Sequence, residues 1–151
     1  MRDGTDKISL GGNNNTMRLS NGNDRVDLGS GTGHLVTTGK GNSTVTGGTG
    51  LVGLTVGNGN SLVALGGNNN AIVAGGGNNR ITLGSGTGQF VSVAGGGNTV
   101  SGGSGMERVT VGDGDNDVRL GGYNNFVSIG EGVDTVSLSG GGNIVICGGG
   151  Q

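Results

Sequence analysis

Taken as a pattern of hydrophobic and polar positions, the chain repeats every nine residues. Units read DGTDKISLG from Asp3, GNNNTMRLS from Gly12, NGNDRVDLG from Asn21, NGNSLVALG from Asn58 and GYNNFVSIG from Gly122. Sixteen units fit, with single extra residues at Ser30 and Ser85. Slot six is apolar in all sixteen; slot eight is apolar in 13, the exceptions being Thr38, Gly47 and Gly102. Slots five to eight thus alternate outward, inward, outward, inward, the period of a short strand. Slots nine to four hold Gly, Asn, Asp and Ser, which tolerate positive φ and build tight turns.

A four-residue strand with a five-residue turn cannot bury its apolar pair alone. Two units per coil, about 18 residues, predict an all-β fold: a right-handed parallel β-solenoid (β-roll) with two facing parallel sheets, about eight coils and no helix. Stacking at about 4.8 Å per coil gives a rod on the order of 38 Å long. The chain, 1-151, reads as one domain. One core column is Ile8, Val26, Val45, Val63, Ile81, Val100, Val118 and Val136. A longer repeat is also present: GSGTGHLVTTG from Gly29 matches GSGTGQFVSVA from Gly84, and VGNGNSLVALGGNNN from Val56 matches VGDGDNDVRLGGYNN from Val111. These imply an internal duplication of 29-75 as 84-130.

Composition narrows the class. There are 41 glycines and no proline, and glycine does not recur every third residue, which excludes collagen. A net charge of −2 excludes a strongly charged disordered tail, and the fixed register excludes random low complexity. Eight scattered Lys and Arg argue against nucleic acid as the main partner. No apolar run approaches the roughly 18 residues of a membrane span, and no signal segment follows Met1.

Slot four is rich in amides. Stacked coil on coil, Asn79, Asn98 and Asn116 are expected to form a hydrogen-bonded turn ladder. Outward slots five and seven define two faces. The odd-unit face is polar and mixed in charge. The even-unit face carries Leu35, Val73, Phe90, Phe126, Ile144 and Ile146, an apolar stripe suited to lateral self-association. The repeat begins at Asp3 and runs to the terminal glycines, so the expectation is either a piece of a longer repeat protein or coils that stack end to end.

The units GTDKISL from Gly4, GNDRVDL from Gly22 and GVDTVSL from Gly132 resemble the RTX nonapeptide GGxGxDxUx of bacterial proteins exported by type I secretion. Units like NGNSLVALG also resemble the "β-strand repeat" proteins of that secreted group. The resemblance implies a parallel β-roll, an extracellular location, and calcium in the turns. Residues matching the calcium-ligand aspartate are Asp6, Asp24 and Asp134; most other units carry Asn there. The family's first glycine is here usually Leu, Ile or Val, which adds a second inward apolar residue per unit. The roll is therefore expected to require no cofactor, with any calcium confined to those aspartates.

Nothing in the chain points to catalysis. GxGxxG from Gly48 to Gly53 is expected by chance in so much glycine, with no helix to follow it. The segment Gly33–Gly41 has the wrong spacing for a phosphate loop, and Asp113, Asp115 and Asp117 are followed by Val118 where an EF-hand needs glycine. His34 is the only histidine, in a turn slot. Cys147 is the only cysteine, in an inward slot, and is expected to be buried and inert. The expected function is a non-enzymatic structural solenoid: a self-associating fibre, spacer or surface-layer element of a secreted bacterial protein. Two alternatives stand beside it. One is ice binding through outward Thr and Ser ranks, with polysaccharide as a related external partner; the other is a calcium-dependent RTX module.

Overall fold

The structure, a computed structural model, describes residues 3–149. All its regular structure is strand. One sheet holds β1 (Lys7–Ser9), β3 (Arg25–Asp27), β5 (Thr44–Gly47), β7 (Leu62–Leu65), β9 (Arg80–Leu83), β11 (Thr99–Ser101), β13 (Asp117–Leu120) and β15 (Thr135–Leu138). The other holds β2 (Thr16–Arg18), β4 (His34–Thr37), β6 (Val52–Val56), β8 (Ala71–Ala74), β10 (Gln89–Val93), β12 (Glu107–Val111), β14 (Phe126–Ile129) and β16 (Ile144–Cys147). Each strand pairs in parallel with the strand two ahead, so odd and even units form separate sheets, as the nonapeptide register predicts. The chain winds through about eight coils as a β-solenoid.

Register follows the inward columns. Val26 lies opposite Val45, Val63 opposite Ile81, and Val100 opposite Val118. A slip by one residue would turn every aliphatic side chain outward, so the hydrophobic pattern fixes the pairing. Ser30 and Ser85 do not disturb it. Across each of them the partner offset becomes 19 (Thr16 with Leu35, Ala71 with Phe90), while elsewhere it is 18 (Gly53 with Ala71). The extra residue is absorbed in a turn.

The core is one column pair closed between the sheets. Val26, Val45, Val63, Ile81, Val100 and Val118 have no exposed surface, and Leu54, Ile72, Val91, Val109 and Val127 face them from the even sheet. Ile8 and Val136, at the two ends of their column, are only half buried. In the last described coil Val145 is 42% exposed, and Cys147 is exposed as well. The expectation of a buried Cys147 is corrected here. It does lie in register with the buried Ile129, but no described strand covers the far side of β16.

Turn backbone is fixed by stacked side chains. The amides of Asn42, Asn60, Asn78 and Gly97 each donate to the side-chain oxygen of the residue one coil earlier, Asn23, Asn42, Asn60 and Asn78, at 2.7–2.8 Å. The residues Asn14, Asn69 and Asn124, 55 apart in sequence, all adopt positive φ near +58°. Gly88 (φ +75°) sits under Asn69, and a Cβ there would run into the Asn69 side-chain oxygen, so both conformation and space require glycine.

Candidate functional site

Slot four belongs to the interior. Alternation puts slots four, six and eight on one side of the strand, and the structure buries Asp24, His34, Ser43, Ser61, Asn70, Asn79, Gln89, Asn98, Glu107, Asn116 and Asn125. His34, expected in a turn, opens β4 at 2% exposure, with Nδ1 3.3 Å from Asn15 Nδ2. The polar residue types at slot four suggested a turn; the period-two rule, carried back one residue, gives the inward side.

In the odd sheet this column is a ladder. The Asn98 amide donates to Asn116 Oδ1 at 3.1 Å, and Asn98 Nδ2 reaches the Ala94 and Gly96 carbonyls at 3.0 and 2.9 Å. Asn79 and Asn116 repeat the arrangement, Asn79 donating to Asn98 Oδ1 and Asn116 to Asp134 Oδ1. The side chains also bond directly along the column, Asn79 Nδ2 donating to Asn98 Oδ1 at 3.2 Å and Asn98 Nδ2 to Asn116 Oδ1 at 3.1 Å. Each asparagine also closes its own turn.

Of the candidate calcium aspartates, Asp6 and Asp24 are neighbours on successive coils and Asp134 is remote from both. Asp24 Oδ1 accepts the Asp6 amide at 3.1 Å, and Asp134 lies far along the same column, where it accepts the Asn116 amide. Among the described residues no three His, Cys, Asp or Glu side chains converge.

The even sheet differs inside and out. Its outward slot-five column runs Leu35, Gly53, Ala71, Phe90, Arg108, Phe126, Ile144, each in register with the next. Leu35, Val73, Phe90, Ile144 and Ile146 are exposed, and Phe126 is half buried. Arg108 explains Phe126: its guanidinium stacks 4.7 Å from the ring centroid, a cation–π contact. The neighbouring slot-seven column is mostly hydroxyl: Thr37, Thr55, Ser92, Thr110 and Ser128, interrupted by Val73.

Two features centre on β12. A recess of about 380 Å3 opens between Phe90, Met106, Arg108 and Phe126, with Gly88 and Asn124 also in its lining. Beneath it Glu107 turns inward, 1% exposed, and neither carboxylate oxygen completes a hydrogen bond. Its head group leans toward the gap left by Gly102, where an added Cβ would come within 3.4 Å of Oε1. Burial pushes this carboxyl up to about 7, with the Gly105 backbone amide opposing the shift. Neither Glu107 nor Arg108 stands out in the sequence. The only available signals were an acid in an amide column and a base in an apolar one.

No protein-family model, curated protein or solved structure matches the chain.

Proposed function

We propose that the chain is a non-enzymatic structural β-solenoid, a rod that packs laterally through its even face as a fibre, spacer or surface-layer element of a secreted repeat protein. The observation that supports it is the concentration of exposed apolar side chains on one face of a two-sheet rod: the even strands present Leu35, Val73, Phe90, Ile144 and Ile146, against Leu62 on the odd strands. The odd face carries Lys7, Arg25, Asp27, Arg80, Asp117 and Arg119 outward, with Arg119 paired to Asp117 at 2.7 Å. A flat apolar stripe backed by a rigid sheet suits side-by-side packing. Electron microscopy of the purified chain should show laterally associated rods, and sedimentation of Phe90→Asp should show them dissociated. Monodisperse single rods in the wild type would overturn the reading.

Ice binding is the second reading, favoured by the in-register hydroxyl rank Thr37, Thr55, Ser92, Thr110 and Ser128. Thermal hysteresis at micromolar protein separates the two, since a packing element gives none. The proposed roll is held by its two aliphatic columns without calcium, so its β-sheet circular dichroism should be unchanged by EDTA. Loss of that signal would instead favour the calcium-dependent roll, with Asp6, Asp24 and Asp134 as the ligand candidates.

A further inference from the structure

From the geometry around β12 we infer a binding site for a small planar carboxylate: the recess between Phe90, Met106, Arg108 and Phe126, with Arg108 as the anion contact. Its volume, about 380 Å3, lies in the range of roughly 300–1,000 Å3 usual for small-molecule sites. Gly88 and Met106, the slot-three residues of successive coils, both line the recess. Its walls are two aromatic rings two strands apart, Phe90 and Phe126, with Arg108 on the strand between them.

Charge selects the occupant. Arg108 stacks on Phe126 and has no ion-pair partner among the described residues. The outward positions of the even sheet contain Arg18 and Arg108 and no carboxylate. Glu107, adjacent in sequence, faces the interior. The guanidinium therefore keeps its forked donors for an outside acceptor, and a carboxylate matches that fork in two parallel hydrogen bonds. The chemistry of the walls decides what carries the carboxylate. Phe90, Phe126 and Met106 offer rings and a thioether, while the side chain of Gln89 is spent inside on the Gly67 carbonyl. Besides Arg108, the exposed Asn124 is the polar side chain this lining offers, too little for the several hydroxyls of a sugar acid, whereas an aromatic acid needs only ring contacts and one anion contact.

The probe is 2-naphthoate, compared with the neutral 2-naphthylmethanol, titrated into the whole chain by calorimetry and followed at the Phe90, Arg108 and Phe126 amides by NMR. Saturable binding of naphthoate is expected, about 10-fold or more tighter than the alcohol, as one charge-assisted hydrogen bond implies. Arg108→Gln should abolish that preference, leaving the two probes within about 2-fold, and Phe90→Ala should weaken both. Both changes lie on outward positions, and an unchanged β-sheet spectrum verifies the fold in each variant. Equal affinity of the two probes for the wild type, unsaturable binding, or naphthoate affinity unaffected by Arg108→Gln would overturn the site.

Discussion

Across the same three coils, the odd and even sheets solve the same burial problem differently. Asn79, Asn98 and Asn116 occupy slot four of the odd sheet; Gln89, Glu107 and Asn125 occupy it in the even sheet, all at most 2% exposed. In the odd column every member accepts from the preceding coil and donates to its own turn. In the even column Gln89 accepts the Asn70 amide and Asn125 accepts the Glu107 amide, but the Glu107 carboxylate accepts from neither neighbour. The difference shows what an interior slot-four residue must supply. A side-chain amide has both an acceptor and donors, so one residue type satisfies coil-to-coil and within-turn partners together. An ionised carboxylate has acceptors only and leaves the turn carbonyls unanswered.

That comparison breaks most visibly at the centre of the odd ladder. Asn98→Ala removes the acceptor for the Asn79 amide and the donors to the Ala94 and Gly96 carbonyls. With each orphaned buried group costing about 1–3 kcal/mol, the loss should be about 3–5 kcal/mol in chemical denaturation. Val52→Ala, at a buried even-sheet slot four whose side chain makes no hydrogen bond, should cost only about 1.6 kcal/mol, two buried carbons at about 0.8 kcal/mol each. A comparable loss at both sites would show that bulk, and not hydrogen bonding, governs the column.

Glu107 supplies the next effect. A carboxyl held near 7 in the folded chain and near 4.5 when unfolded binds more protons in the folded state between those values. Stability is therefore fully present below about pH 4.5, falls as pH rises toward 7, and levels off above it. The decline attributable to this residue is at most roughly 3 kcal/mol, and less to the extent that the narrow roll keeps solvent close. Glu107→Gln should remove the decline and leave the protein more stable than wild type at pH 8. Thermal melts of both proteins from pH 4 to 8 would show it, and parallel pH profiles would contradict it.

On the outside, Phe90→Asp on the even face should weaken self-association by at least about 10-fold, roughly 1.4 kcal/mol. Thr99→Asp, at the corresponding outward slot of the odd sheet, should leave it unchanged. Sedimentation of both variants tests whether the even face alone makes the contact; equal effects would assign association to net charge.

Much of this molecule is legible in the residues. The strands, their parity between two sheets, the coil length and the buried valines follow from a nine-residue register that alternates at its apolar end. Slot four was harder to read, because Asn, Asp and Ser are turn formers and their residue types hide an inward position. Cys147 failed for another reason. An inward column buries a side chain only where a coil lies on each side of it, and β16 has a described neighbour on one side only. Nor did the sequence reveal the β12 recess, which depends on Phe90, Arg108 and Phe126 standing in register on adjacent strands and on Arg108 reclining over Phe126 one coil away.

The sequence by itself determined the repeat, the alternation and hence the all-parallel solenoid, since a strand-and-turn unit with two apolar side chains can bury them only against its neighbours. It also placed most of the large apolar outward residues on the even face, with Leu62 on the odd one. Only the tertiary structure decided which polar groups are satisfied in the interior and what the outward ones touch. Those properties arise between residues 18 or 19 positions apart, where an amide meets an amide in one sheet and a carboxylate meets none in the other.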